Sequence, residues 1–450
     1  MGLRERLDRG GKATPIVGIP ILVGGVSREA YHKLKGELHQ RLIDRIDLTT
    51  IEDVPREKLR EEMRGTLAAM LSGVEIPLNR SEREQMVEEL LDEITGLGPL
   101  EPLLRDESIT DILVNTFNTV YIERHGKLEH TNVRFRDNAH LQQIINRIVA
   151  HVGRRVDDSS PMVDARLQDG SRVNAIVPPL AIDGPILSIR RFGGAPLRIK
   201  DLLRIDSIMP DMVAFLAAAV KCKLNLLISG GTGTGKTTIL NALSSFIPEG
   251  ERVVTIEDAA ELQLQQKHVV RLETRPPNIE GKGEIMARDL VRNSLRMRPD
   301  RIIVGEVRAA EVLDMLQAMN TGHEGSMTTV HANSPRDALS RMEAMVGMSG
   351  IHLPEALIRQ SIARAINIVV QLSRGTDGRR RVTSISELTG VEGQVITMQE
   401  IFRFEQRGLD SNGIIKGEFK ATGVRPQAME KISRFGIDPA VLLRGILGDD

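Results

Sequence analysis

The sequence predicts an α/β protein whose C-terminal half contains a parallel β-sheet enclosed by helices. Residues 229–238 form a Gly-rich segment between an apolar run and a helix-compatible run, which is the setting of a phosphate-binding loop. Beyond residue 205, short apolar runs alternate with helical patterns, as a parallel sheet requires. Before this region, residues 109–192 contain short strands separated by turns. We therefore predict a separate α+β domain in front of the α/β domain.

The composition is that of a globular protein and argues against several classes of function. The chain has 450 residues, of which 41% are hydrophobic and 27% charged, so about three domains are expected. Its formal net charge of −1 provides no general basic field for nucleic acid. The single cysteine, Cys222, excludes an intramolecular disulfide and a multi-cysteine zinc site. No apolar stretch reaches the length of a membrane-spanning helix, and we expect a cytoplasmic protein.

Residues 1–80 predict an arm followed by a charged helical region. Apolar residues recur every four positions from Leu34 to Ile46, which defines one face of a helix. A second helix is predicted to begin at Ser81, because Glu84 completes a capping box three residues later. Charged helices of this kind are typical of a solvated surface module, and this region is not diagnostic of function.

The domain boundaries follow from changes in these patterns. We assign residues 81–195 to the α+β domain, with a helix at 139–152 and a hairpin around the turn at 168–171. A Gly-Gly-Ala-Pro segment then marks a hinge, and residues 196–204 are the predicted linker. Residues 205–450 are assigned to the α/β domain, which ends in a small β-rich appendage.

The phosphate-binding loop satisfies the pattern G-x-x-x-x-G-K-[ST]. In such a loop, glycines let backbone N–H groups surround phosphate oxygens at the start of a helix. Lys236 is expected to reach the β- and γ-phosphates, and the Thr237 hydroxyl to bind Mg²⁺, so the predicted ligands are ATP and Mg²⁺. The predicted nucleotide-binding residues are Gly230, Gly231, Thr232, Gly233, Thr234, Gly235, Lys236, Thr237 and Thr238.

Carboxylates and histidines follow the later strands of the same domain. Glu257 ends one apolar strand, and Glu306 ends another, with Gly305 where an Asp often supports the Mg²⁺ ion. His323 and His331 bracket a further strand. Each residue also has a structural reading: Glu257 or Glu306 could cap a helix, and either histidine could be a hydrogen-bonded core residue. A metal site made by the two histidines lacks a convincing third ligand.

Arg190 and Arg191 end the last predicted strand of the α+β domain. They could be a solvated pair on the surface, or they could face a ligand. The sequence pattern alone does not separate these alternatives.

In this order, the motifs resemble those of the secretion ATPases of type II and type IV secretion, pilus and archaellum motors. Ile256-Glu257-Asp258, Val304-Gly305-Glu306 and the two-histidine segment match that superfamily's Asp box, Walker B and His box. The string from Gly322 to Ser334 resembles the CpaF-type branch, which powers tight-adherence (Tad/Flp) pili. The resemblance extends over about residues 80–420, and the Gly at 305 is normal in this superfamily.

The resemblance implies a homohexamer in which an α+β (PAS-like) domain is hinged to a RecA-like domain, with ATP between them. Arg190 and Arg191 then resemble basic residues that face the phosphates, His331 would sense the γ-phosphate, and His323 belongs to the same nucleotide-binding set. Glu306 is favoured for activity, although either Glu257 or Glu306 could orient the attacking water. Thr237 and Glu306 would hold Mg²⁺, the latter through water.

The implied function is ATP hydrolysis that drives pilus assembly at the cytoplasmic face of the inner membrane. The expected partner is a membrane platform protein, through which the ATPase contacts the membrane peripherally, and no direct nucleic-acid contact is expected. A VirB11-like type IV secretion ATPase is the main alternative. A RecA-like DNA translocase and a non-catalytic nucleotide-gated scaffold are the others, and the former is disfavoured by 2% aromatic residues.

Overall fold

The computed structural model describes residue 31, residues 34–38, residue 41, and residues 56–72, 78–124, 126–193, 196–277, 281–411 and 413–447. The chain divides into two compact units, Met1–Gly194 and Ala195–Asp450. The predicted arm at 1–27 lies outside the described residues, as do Leu42 and Ile46 of the predicted helix face. Among the described residues, no helix is long and apolar enough to cross a membrane.

The first unit begins with helices that share one apolar cluster. Helix α1 (Arg56–Ser72) and helix α2 (Arg80–Thr95) bury leucines and methionines together with Leu34 and Leu38. The boundary that we predicted at 80/81 therefore divides one helical cluster, because α2 packs against α1. The capping box lies two residues earlier than predicted: Asn79 accepts from the Glu82 N–H (2.9 Å), and the Glu82 carboxylate accepts from the Asn79 N–H (2.8 Å).

A six-stranded antiparallel sheet forms the rest of the first unit, in the order β3-β2-β1-β6-β5-β4. The predicted helix near 139–152 is α4, whose apolar face packs on one side of this sheet. The predicted hairpin at 162–176 is also present, as β4 and β5. The elements are α3 (Glu101–Arg105), β1 (Ile109–Thr116), β2 (Thr119–Arg124), β3 (Lys127–His130), α4 (Asn138–Ala150), β4 (Met162–Arg166), β5 (Arg172–Ile176) and β6 (Ile186–Arg190).

The second unit is built on a nine-stranded sheet in the order β15-β14-β13-β12-β7-β11-β10-β8-β9. Six strands, from β12 to β9 in this order, run parallel, as the alternating pattern predicts. The strands are β7 (Leu226–Gly230), β8 (Val253–Glu257), β9 (Val269–Glu273), β10 (Arg301–Val304), β11 (Met327–Val330), β12 (Ile368–Arg374), β13 (Arg380–Glu392), β14 (Val395–Leu409) and β15 (Ile415–Ala421).

Helices cover both faces of this sheet, and the sheet separates two apolar clusters. The helices are α5 (Ile199–Arg204), α6 (Pro210–Lys221), α7 (Lys236–Ser244), α8 (Ala287–Ser294), α9 (Glu311–Asn320), α10 (Pro335–Gly347), α11 (Glu355–Ala365), α12 (Met429–Arg434) and α13 (Pro439–Leu447). Most of the predicted linker at 196–204 is helix α5, whose Leu202 lies in the core. The strands predicted for the β-rich appendage correspond to β13, β14 and β15, and β13 pairs with β12, so these strands extend the central sheet.

Buried Asn225 fixes the amino ends of three strands. Its Oδ1 accepts from the N–H groups of Gly325 (2.8 Å) and Ser326 (3.0 Å), and its Nδ2 donates to the carbonyl of Ala365 (2.6 Å). These bonds tie β7 to the segments that enter β11 and β12. The carboxyl ends of the parallel strands lie together at the other end of these strands, which is where ligands bind in such folds.

Candidate nucleotide-binding site

The Gly-rich loop lies between β7 and α7, as the sequence predicts, and its glycines are required by its geometry. Gly233 (φ 68°) and Gly235 (φ 94°) adopt left-handed backbone conformations. A Cβ atom on Gly230 would lie 2.5 Å from Thr234 Oγ1 and 2.9 Å from the carbonyl oxygen of Leu372. Only glycine therefore fits where β7 turns into the loop. The N-terminus of α7 then faces the loop, which favours an anion there.

Lys236 is buried in this loop, with 8% of its surface exposed. Its Nζ donates to the carbonyls of Gly230 and Gly231, both at 3.0 Å. Burial lowers the pKa of Lys236, while the nearby Glu306 carboxylate opposes this and Arg308 adds to it. The loop thus holds an ammonium group by its own carbonyls.

The neighbouring hydroxyls of the loop lie on either side of this lysine. Thr237 and Thr238 are half-buried in the first turn of α7, and Thr232 is exposed. Thr234 donates its hydroxyl to the Gly231 carbonyl (2.9 Å), which stabilises the bend of the loop.

His331, at the end of β11, connects Lys236 to Glu306. The Nζ atom of Lys236 lies 3.3 Å from both ring nitrogens of His331, and His331 Nε2 lies 3.0 Å from Glu306 Oε1. Burial lowers the pKa of His331, and the cations Lys236 and Arg308 lower it further against the opposing effect of Glu306. A neutral imidazole with its proton on Nε2 donates to Glu306 in this geometry, while the Lys236 ammonium, at equal distance from both ring nitrogens, contacts the ring as a whole.

Glu306 is also bound by Arg308, whose guanidinium donates to Glu306 Oε2 at 2.8 Å. The same guanidinium reaches Asp258 Oδ2 at 3.5 Å. Both oxygens of Glu306 therefore have partners, and the carboxylate is held within reach of the phosphate loop through His331. Arg308 carried no signal in the sequence beyond its place two residues after Glu306.

Glu257 lies deeper than Glu306, with 6% of its surface exposed. Its Oε2 accepts from the N–H groups of Glu261 (2.8 Å) and Leu262 (2.9 Å), and burial raises its pKa despite these bonds. Within the described part of the chain, its Oε1 has no hydrogen-bond partner. A Cβ atom on Gly305 would lie 2.9 Å from Glu257 Cγ. Glu257 thus occupies the space in which an Asp at position 305 would place its side chain.

The structure does not bring His323 to the phosphate loop. His331 follows the carboxyl end of β11, whereas His323 precedes the amino end, where its Nδ1 lies 3.2 Å from the carbonyl of Pro299. The four residues of β11 alone separate the two histidines by roughly 13 Å at about 3.3 Å per residue. Its predicted place among the nucleotide-binding residues is not supported by this position.

Arg190 and Arg191 belong to the first unit and end β6. Arg190 is exposed and its Nε donates to Asp111 Oδ1 (3.1 Å). Arg191 donates to the carbonyl oxygens of Asp106 and Ile109, and its buried Nε has no partner among the described residues. Arg191 is thus bound to its own domain's backbone, while Arg190 keeps an accessible guanidinium.

Two further arginines share the sheet face of Arg190. Arg172 in β5 is the register partner of Arg190, and Arg166 in β4 is the register partner of Arg172. Opposite partners point to the same face of a sheet, so the three side chains form one row. Sequence reasoning missed Arg166 and Arg172, because only the pairing of the strands brings them beside Arg190.

The β12–β13 connection lines a cavity of about 410 Å³ beside the phosphate loop. Arg380 Nε donates to the Gly233 carbonyl (2.7 Å) and so contacts the loop directly. Apolar side chains and cations share the wall, as is usual for small-molecule sites. The lining residues include Leu197, Leu202, Ile205, Thr234, Gly235, Thr238, Ile239, Leu372 and Arg379 to Val382. The sequence pattern gave no signal for Arg380, since 147 residues separate it from Gly233.

A phosphate loop with a buried lysine, and carboxylates at the carboxyl ends of parallel strands, define a P-loop nucleotide hydrolase. The chain belongs to the family described as "Type II/IV secretion system protein", whose model matches residues 93–411, and it is an ATP hydrolase. A second model, "Type II secretion system protein E, N-terminal domain", matches residues 31–95. The N-terminal region therefore does match a known domain family, although we expected its sequence pattern not to be diagnostic of function.

Proteins of related sequence include some that are named for conjugal transfer and type IV secretion. The chain is 41% identical over 312 residues to a putative conjugal transfer protein of Mycobacterium tuberculosis, covering 68% of this chain and 88% of the relative. It is 30% identical over 331 residues to the type IV secretion system protein VirB11 of Bartonella quintana, covering 65% and 92%. The crystal structure of the Brucella suis VirB11 ATPase with sulphate is 30% identical and covers 64% of this chain and 94% of that one, at a TM-score of 0.36.

Proposed function

We propose that this protein is a hexameric ATPase motor that drives assembly of a Tad/Flp-type pilus at the inner membrane. The observation that carries the enzymatic part is the contiguous set of Lys236, His331 and Glu306 beside the phosphate loop. The assignment to the pilus branch rests on the resemblance of the two-histidine segment to the CpaF type.

In this proposal the phosphates of ATP lie in the loop and the nucleoside lies in the adjoining cavity. The cavity shares Gly235 and Thr238 with the loop, and its apolar wall suits a base. The ammonium of Lys236 exchanges its bonds to loop carbonyls for bonds to phosphate oxygens. Thr237 and Glu306 supply the hard oxygen donors that Mg²⁺ requires, and the ion would neutralise phosphate charge when bound.

Glu306 orients the attacking water in this proposal. One of its oxygens faces the imidazole of His331, which contacts Lys236 and so registers a γ-phosphate at the loop. Glu257 is the alternative residue for this role. Its raised pKa, and an Oε1 that has no partner among the described residues, suit a group that accepts a proton, but its tight burial limits access to water.

The assembly part of the proposal is a homohexamer in which domain closure completes each site. Arg190, which has an accessible guanidinium, and Arg191 would face the phosphates from the first unit, a PAS-like domain in this proposal. A platform protein of the inner membrane would receive the motion at its cytoplasmic face. Type IV secretion is the second candidate, because the relatives named for conjugal transfer and VirB11 cover about two thirds of this chain.

The test is steady-state Mg·ATP hydrolysis at increasing protein concentration. We expect specific activity to rise and saturate as rings form. Lys236→Ala abolishes turnover, and Glu306→Gln binds ATP but hydrolyses it roughly 100-fold more slowly, the scale of general-base catalysis. Lys267→Ala, at an exposed lysine, is the matched control and should hydrolyse ATP normally.

Three results would contradict parts of the proposal. Full turnover by Glu306→Gln removes its assignment as the residue that orients water. Specific activity that stays constant down to monomer concentrations removes the ring. Pilus assembly that proceeds normally in cells carrying Lys236→Ala, while conjugal transfer is lost, favours the type IV secretion alternative.

A further inference from the structure

Two buried side-chain oxygens, on Gln371 and Ser229, lie on neighbouring strands next to the phosphate loop. Gln371 in β12 is the register partner of Ser229 in β7, and Ser229 directly precedes Gly230. Gln371 is 5% exposed and Ser229 is 0% exposed. Among the residues that the structure describes, neither Gln371 Oε1 nor Ser229 Oγ has a hydrogen-bond partner.

An unsatisfied buried polar group destabilises the fold, and native proteins rarely keep two together. Register partners on neighbouring strands carry their side chains side by side on one face of the sheet. One buried water can therefore bond to both oxygens, with a donor for the Gln371 amide oxygen and an acceptor for the Ser229 hydroxyl.

The other end of the Gln371 amide reaches the segment that carries His331. Its Nε2 donates to the carbonyl of Ala332 (3.3 Å), the residue after His331, and to the carbonyl of Leu372 (3.2 Å). The same Leu372 carbonyl oxygen would lie 2.9 Å from a Cβ atom at position 230, so it helps to exclude any side chain there. Gln371 thus joins the strand entering the phosphate loop to the residue next to the imidazole that contacts Lys236.

We propose that Gln371 is a positioning residue for His331, which it holds through the Ala332 carbonyl and through a buried water shared with Ser229. This inference rests on the role given to His331 in the proposed function. The amide does not touch the nucleotide. It keeps the end of β11 in register with β7, so that the imidazole meets the γ-phosphate at the distance that catalysis needs.

The experiment compares Gln371→Met, His331→Ala and the double variant in the full-length chain, under assembly conditions. Met keeps the length and volume of Gln but removes the amide. We expect Gln371→Met to lower kcat roughly 10-fold or more, the effect of misplacing a catalytic group by a fraction of an ångström to about 1 Å. The affinity for ADP, measured with a fluorescent ADP analogue, should change less than about 3-fold, because ADP has no γ-phosphate for His331 to meet.

The double variant separates positioning from general damage. If Gln371 acts through His331, Gln371→Met has no further effect on kcat in the His331→Ala background. Gln317→Met, at an exposed glutamine of α9, is the matched control and should leave kcat unchanged. Ser229→Ala should lower kcat in the same direction by a smaller factor, and it provides the test if Gln371→Met does not fold. A high-resolution crystal structure should show a water bonded to both Gln371 Oε1 and Ser229 Oγ.

Several outcomes would overturn the inference. The first is an unchanged kcat in both Gln371→Met and Ser229→Ala. The second is an equal loss of kcat when Gln371→Met is made in the wild-type chain and in the His331→Ala chain. The third is a crystal structure in which Ser229 and Gln371 bond directly, with no water between them. Normal turnover by His331→Ala would instead contradict the proposed function, whatever Gln371→Met does.

Discussion

Gly305 offers a quantitative test of how this site is packed. A Cβ atom at this position would lie 2.9 Å from Glu257 Cγ, 3.5 Å from Glu257 Oε2 and 3.6 Å from Glu257 Cβ. Carbon atoms in contact normally settle at about 3.5–4.0 Å, so Gly305→Ala requires Glu257 to move by at least about 0.6 Å. Glu257 is held by two backbone N–H groups, so this movement strains bonds worth about 1 kcal/mol each.

We expect Gly305→Ala to lower the free energy of unfolding of the second unit by about 2 kcal/mol, within the range for overpacked cores. For a unit of this size the melting temperature should fall by roughly 4–8 °C. ATP turnover should fall as well, since the displaced carboxylate is a candidate for orienting water. The measurements are urea denaturation, thermal melting and steady-state hydrolysis.

The double-mutant design isolates the clash. In a Glu257→Ala background the nearest remaining atom is Cβ at 3.6 Å, an ordinary contact, so Gly305→Ala should cost less than about 0.5 kcal/mol. Gly347→Ala is the control, because a Cβ atom on that helical glycine has no neighbour within 4 Å. The reasoning is refuted if Gly305→Ala costs the same in both backgrounds, or nothing in the wild-type chain.

Three further predictions concern stability. The pKa of His331 is lowered in the folded state, so the unfolded chain binds more protons and the free energy of unfolding should fall as pH drops below about 6.5. In urea titrations His331→Gln should make this fall less steep, and an unchanged pH dependence would contradict the prediction. The Arg381 guanidinium, whose Nη2 lies 2.8 Å from Asp377 Oδ2, lowers the pKa of Asp377 to about 2, so this ion pair stabilises the fold above the ordinary pKa of Asp and is lost as pH falls toward 2. Asp377→Asn should lower the free energy of unfolding by on the order of 1–2 kcal/mol at pH 7 and by little at pH 2. Asn225→Ala leaves buried N–H and C=O groups unpaired and should cost roughly 2–4 kcal/mol in urea denaturation, and a loss below about 1 kcal/mol would argue against its role in the sheet.

The phosphate loop could be predicted because its conformation depends on neighbouring residues. Glycines with left-handed backbone, a lysine at a set spacing and an apolar strand in front all lie within about fifteen residues of one another. Glu257 and Glu306 could be found by the same kind of argument, since Glu257 ends one apolar strand and Glu306 lies two residues beyond another. The roles of these carboxylates and of Arg190 and Arg191 in catalysis stay predictions, as does the PAS-like character of the first unit.

Other expectations failed where the pattern was satisfied by more than one structure. Ser81 and Glu84 match a capping box, but Asn79 and Glu82 match it equally well and are the pair that forms. His323 and His331 look equivalent in the sequence, yet they lie beyond opposite ends of strand β11.

The phosphate loop, the alternation of strands and helices and the carboxylates near the strand ends can all be read from the sequence, because each depends on residues close together in the chain. The contacts between side chains of different strands become visible only in the folded protein. Glu257 fills the space beside Gly305, Arg380 binds the loop, and Gln371 adjoins Ser229, through pairings that span from 48 to 147 residues. The strand order decides these meetings, and strand order depends on buried contacts between distant segments that no local pattern records.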